Sequence, residues 1–147
     1  MAPNASPMTF EGTNTYILGS GRVAVIDPGP DDPSHLDAIL AALDPAETVS
    51  HIFVTHSHLD HSPLARRLGD TFRTPILGFG AAHEGRSDLM QELALRSDLG
   101  GGEGIDDTFA PDQRLSDAEI VIGSNWSITA VHTPGHLANH QIGRAHV

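Results

Sequence analysis

The run Thr55-His56-Ser57-His58-Leu59-Asp60-His61 places three imidazoles and a carboxylate side by side. Neutral imidazole ligates zinc, copper, iron and nickel, and an added carboxylate biases a site toward zinc, iron or manganese. The apolar Ile52-Phe53-Val54 comes directly before it, which reads as a buried strand delivering a ligand loop to a sheet edge. His56 and His58 alternate with Ser57, so both can point the same way from an extended backbone. Asp60 and His61 lie one turn further on and can face a second position close to the first. Two adjacent metal sites served by one loop are therefore expected. Ten histidines make some clustering unsurprising, but His-x-His-x-Asp-His after a strand is a specific pattern. His35, His51, His83 and His146 have no such neighbours and are expected to be surface or core residues.

A second signal lies near the C-terminus. Ser127-Ile128-Thr129-Ala130-Val131 alternates as a half-buried strand should. It leads through His132 into Thr133-Pro134-Gly135-His136, where the fixed φ of proline and the freedom of glycine make a sharp turn. That turn can present His136 to the site from a second loop. Three histidines with a fourth position left to water is the catalytic zinc pattern, in contrast to a closed structural site.

With these motifs the chain resembles the metallo-β-lactamase superfamily, whose signature is His-x-His-x-Asp-His followed by Thr-Pro-Gly-His. More narrowly it is similar to the branch that holds glyoxalase II-like hydrolases and the endoribonuclease β-lactamase-like protein 2. Gly12-Thr13-Asn14-Thr15-Tyr16-Ile17-Leu18, Val25-Ile26-Asp27-Pro28-Gly29-Pro30 and His61-Ser62-Pro63-Leu64 support this over residues 4–140. The resemblance implies an α/β chain (α+β in some schemes), the N-terminal half of an αβ/βα sandwich. It implies that His56, His58 and His136 hold a first metal while Asp60 and His61 begin a second site. Two Zn²⁺ ions are expected per complete site, with iron or manganese as alternatives. The implied activity is hydrolysis of an ester, thioester or phosphodiester by a metal-bound hydroxide, with Asp60 orienting that hydroxide. His140 would steady a ligand from behind or simply lie at the surface. A metal-binding but inactive fragment and a di-iron redox scaffold are the alternative readings; no flavin-binding region accompanies the motif to favour the latter.

In the family a later strand brings an aspartate that bridges both metals, and a further histidine completes the second site. Neither is found before Val147. One face of the sheet is thus expected to lie bare where a second half would pack. Residues 141–147, Gln-Ile-Gly-Arg-Ala-His-Val, are unlike the apolar strand expected after Thr-Pro-Gly-His. They are what a widely used sequencing-library adapter encodes in one frame (CAGATCGGAAGAGCACACGTC, then TGA). The expected organisation is a truncated domain over 1–140 and an artefactual tail over 141–147.

A net charge of −11 and a pI near 5.1 argue against a nucleic-acid footprint on these residues. The expected partner is a small ester or thioester, with RNA left open because a basic groove could lie elsewhere in a longer protein. Without cysteine there is neither disulfide nor thiolate metal site. No signal peptide is visible over residues 1–11, and no run approaches the roughly 18 apolar residues of a membrane span. A soluble cytoplasmic protein is expected.

The elements that must position the ligands are legible in outline. Strands are expected at 15–18 and 23–26 around Gly19-Ser20-Gly21, at 51–54 and at 75–77. Helices are expected at 33–43, with Asp32 as N-cap and Leu36, Ile39, Leu40 and Leu43 inward, and at 63–68 and 87–95. Strands at 119–122 and 126–131 form a second hairpin after Pro111-Asp112-Gln113-Arg114. The glycine-rich 100–104 lacks the Lys-Ser/Thr of a phosphate-binding loop and reads as a flexible connection.

Overall fold

The computed structural model describes residues 1–96 and 104–147. Most of the glycine-rich segment at 100–104 therefore lies outside the described residues. Strands β1 (Tyr16–Leu18) and β2 (Arg22–Ile26) form the expected antiparallel hairpin. Gly19 at its turn has φ +89°, and a Cβ there would collide with the Trp126 indole, so glycine is required twice over. Helix α1 (Pro33–Ala42) starts at Asp32, whose carboxylate accepts from the Ser34 and His35 amides. Strand β3 (Thr48–Phe53), helix α2 (Leu64–Phe72) and strand β4 (Ile76–Gly78) follow, then α3 (Asp88–Arg96).

β2, β3, β4 and a short β5 (Gln113–Arg114) run parallel, giving the sheet order β1-β2-β3-β4-β5. A central parallel strand is buried on both sides, and β2 shows it: Val23, Ala24 and Val25 are all fully buried. Val23, Val25, Ile52 and Ile76 face the helices and pack with Ile39 of α1 and Leu64 and Leu68 of α2. Ala24, Phe53 and Leu77 face the other way, against Trp126, Ile128 and Ala130. These last belong to a second, antiparallel sheet of β6 (Ile120–Ile122), β7 (Ser127–His132) and β8 (Gln141–His146).

Three expectations change. The bare sheet face does not lie on the five-stranded sheet, because the three-stranded sheet covers it. Ile120, Ile122 and Ile142 are exposed on the far side of that second sheet. The segment at 141–147, read as unlike the apolar strand expected after Thr133-Pro134-Gly135-His136, pairs with β7 along Gln141–His146, five of whose six residues are exposed. Backbone ladders form irrespective of side-chain polarity, so a strand without an apolar face still zips onto a neighbour. Lastly, α2 runs four residues past the expected 68, to Phe72, and ends at Arg73 in the left-handed region with φ 54°. No helix among the described residues is long and apolar enough to cross a membrane.

Candidate metal centre

The site grows from the C-terminal ends of β2 and β3, where side chains of parallel strands emerge beyond the sheet. The amide of Asp27 donates to the Phe53 carbonyl, continuing the β2–β3 pairing by one residue. Asp27 itself has φ 50°, a conformation few non-glycine residues adopt. Its buried carboxylate holds both ends of the histidine loop. Oδ1 accepts from the Thr55 amide at 2.8 Å, and Oδ2 accepts from the Thr55 hydroxyl at 2.8 Å and from His61 Nδ1 at 2.9 Å. Sequence reasoning placed Asp27 in a motif without a role; its sign was an acid at the end of an apolar strand.

His56 and His58 are buried to 4% and 3% exposure. Their rings lie 4.7 Å apart between centroids, and that of His136 sits 4.9 Å from the first and 4.6 Å from the second. One ring nitrogen from each lies within 4.8 Å of the other two, the arrangement a single metal ion requires. His56 Nε2 and His58 Nδ1 are 3.0 Å apart. His58 Nε2 is buried without a hydrogen-bond partner, a condition that costs roughly 1–3 kcal/mol. Burial, reinforced by the neighbouring histidines, pushes the His56 pKa down to about 2, and burial lowers that of His58 as well. Both imidazoles are therefore neutral at physiological pH, the form that donates a lone pair to a metal. The donor set fits zinc.

Asp60 and His61 lie beside this group. The ring of His61 is 4.2 Å from that of His56, and its Nε2 is 3.3 Å from Asp60 Oδ2. Thr13 donates its hydroxyl to the same Asp60 oxygen at 2.7 Å. Burial opposes charge on both groups, but the hydrogen bonds outweigh it. Asp27 and Asp60 raise His61 to about 9, while His61 and Thr13 hold Asp60 below the ordinary carboxylate range. Both are charged and locked together.

The second loop is held by Asn139 and His132, to which sequence reading gave no role, and by His140. Asn139, 2% exposed, donates to Ser57 Oγ at 3.2 Å and to the carbonyls of Gly80 and Ala81. Ser57 is the residue between the two buried histidines, so this contact ties the His136 loop to the first loop. His132 stacks on Phe79 at 3.8 Å and bonds the Ala138 carbonyl. His140 faces the site, 5.0 Å from His56 between centroids, with Nδ1 against the Thr133 hydroxyl. The four set-aside histidines stay out of the cluster. His35 is buried against Thr15, His51 stacks with Phe53 and meets Trp126 edge-on, His83 meets Asp107, and His146 is exposed in β8.

Residues 8–143 match the profile of the Metallo-beta-lactamase superfamily. An atrochrysone carboxyl ACP thioesterase of Aspergillus terreus is 31% identical over 95% of this chain and 37% of its own length. A lactamase-like protein of Pestalotiopsis microspora is 36% identical over 95% of this chain and 37% of its own. The chain thus spans well under half the length of these relatives. Among solved structures, a metallo-beta-lactamase HARLDQ motif mutant of Cronobacter sakazakii matches with TM-score 0.70 at 20% identity. The match takes in 92% of this chain and 52% of that one. ETHE1 from Myxococcus xanthus matches with TM-score 0.58 over 89% and 48%.

Proposed function

The chain belongs to the metallo-beta-lactamase superfamily, and from that premise we propose that it forms part of a zinc-dependent hydrolase acting on a thioester. The observation that carries the reading is the convergence of His56, His58 and His136, one ring nitrogen of each lying within 4.8 Å of the other two. The thioesterase named among the relatives supports a thioester over an ester or phosphodiester. A zinc ion held by these imidazoles would supply a Lewis acid that polarises the scissile carbonyl and acidifies water.

The chain's own groups do the rest. Asp27 accepts the Nδ1 proton of His61 and so turns Nε2 toward Asp60. Asp60, kept anionic, would accept a hydrogen bond from an attacking water. Thr13 fixes which way that carboxylate points.

For the chain at its present length we favour a single zinc and little turnover. Among the described residues Asp60 and His61 flank the first site as the expected start of a second, and His61 already pairs with both Asp60 and Asp27. The test is zinc binding together with hydrolysis of a simple acyl thioester, by this chain and by one extended to the relatives' length. The reading expects zinc on both and turnover only on the longer chain, abolished by His58→Ala. A longer chain that binds zinc yet hydrolyses no thioester would remove the substrate assignment.

A further inference from the structure

The groove beside His136 offers a substrate site, an inference that rests on the thioesterase reading. It has a volume of about 490 Å³ and lies between residues 85–90 and residues 134–138, within the range of roughly 300–1,000 Å³ common to small-molecule sites. Met90, Ile105, Pro134 and Leu137 give it apolar walls, and Arg86 adds a guanidinium.

Two contacts join the groove to the metal ligands. His136 is itself a lining residue, and Ile105 forms a β-bridge with His58. The walls meet at Gly85, where φ is +85° and a Cβ would press on the Ala138 carbonyl. A bulkier residue there would force the two walls apart.

Charge selects the occupant. The chain carries a net −11, yet no carboxylate lines the groove among the described residues, and Arg86 does. We propose that this groove binds the acyl part of the thioester, an apolar group bearing a carboxylate that pairs with Arg86. An apolar stem leaves water along Met90 and Leu137, while a guanidinium and a carboxylate form the stronger class of hydrogen bond. The thioester carbonyl would then lie at the His136 end.

Decanoate, titrated calorimetrically into the chain in the presence of chelator, tests the groove without the metal. Decanoate should bind, and decyltrimethylammonium should bind more weakly. Arg86→Glu and Met90→Asp should each weaken decanoate about tenfold or more. Arg86 is half-buried and Met90 exposed, so neither substitution puts folding at stake. Zinc affinity, measured separately on the same variants, should not move. No decanoate binding, or binding indifferent to both substitutions, would overturn the groove assignment. Decanoate that depends on Arg86 in a chain that fails to bind zinc would keep the groove and sink the metal reading instead.

Discussion

Asp27 and His61 are joined by a 2.9 Å hydrogen bond from His61 Nδ1 to Asp27 Oδ2, which ties the end of β2 to the end of the histidine loop. Because Thr55 at the start of that loop donates to the same carboxylate, one buried acid closes the loop like a clasp. Asp27→Ala would orphan three donors. A buried donor without its partner costs roughly 1–3 kcal/mol, and the loop can relax part of this. Denaturant unfolding should show a loss of about 3 kcal/mol. A loss below about 0.5 kcal/mol, the usual range for surface substitutions, would contradict the clasp.

Asn139 and Ser57 lock the two ligand loops together. Partners that orient metal ligands typically contribute about 10–100-fold to metal affinity. Ser57→Ala should weaken zinc binding by about tenfold and Asn139→Leu by more, read by competition with a colorimetric chelator. Unchanged affinity in Asn139→Leu, with only the melting temperature lowered, would assign Asn139 to stability alone.

His35 gives a pH dependence separate from the metal site. Burial holds its pKa below the ordinary value of 6.5, and its Nδ1 is buried without a partner. The unfolded chain therefore takes up this proton first as pH falls. Stability should be unaffected above about pH 7 and decline as pH drops through 6.5 toward the lower folded value. His35→Gln should flatten part of that decline in urea titrations between pH 7 and 5. An identical slope in wild type and variant would exclude His35 as a source.

The outer face of the three-stranded sheet should make the chain associate. Ile120 and Ile122 are 60% and 75% exposed and stand on the same face, and clustered exposed apolar side chains promote association. Ile122→Lys should reduce both hydrophobic-dye binding and the sedimentation-derived mass. A wild-type chain that is monomeric and binds no dye would contradict this.

The convergence of three histidines and much of the fold could be read from residue types. His56, His58 and His136 were legible because paired histidines after an apolar strand, and a histidine behind a Pro-Gly turn, are local marks of a metal loop. β2, β3 and α1 were legible because buried runs and an Asp-Pro start are local signals. Asp27, Thr13 and Asn139 were not, since their roles depend on which distant backbone groups the topology brings to them. β5 and β8 were missed for a related reason. A two-residue edge strand and a polar strand are defined by their partners, Ile76–Gly78 and Ser127–His132, and carry no periodicity of their own.

Metal content under native conditions, read by mass spectrometry, tests the central claim most directly. After exposure to zinc and exchange into metal-free buffer, the chain should retain one zinc. His56→Ala, His58→Ala and His136→Ala should each lose it, while His35→Ala and His83→Ala should keep it. Wild-type chain that retains no zinc, or a His58→Ala variant that retains it as firmly as wild type, would contradict the assignment of these three histidines as one metal centre.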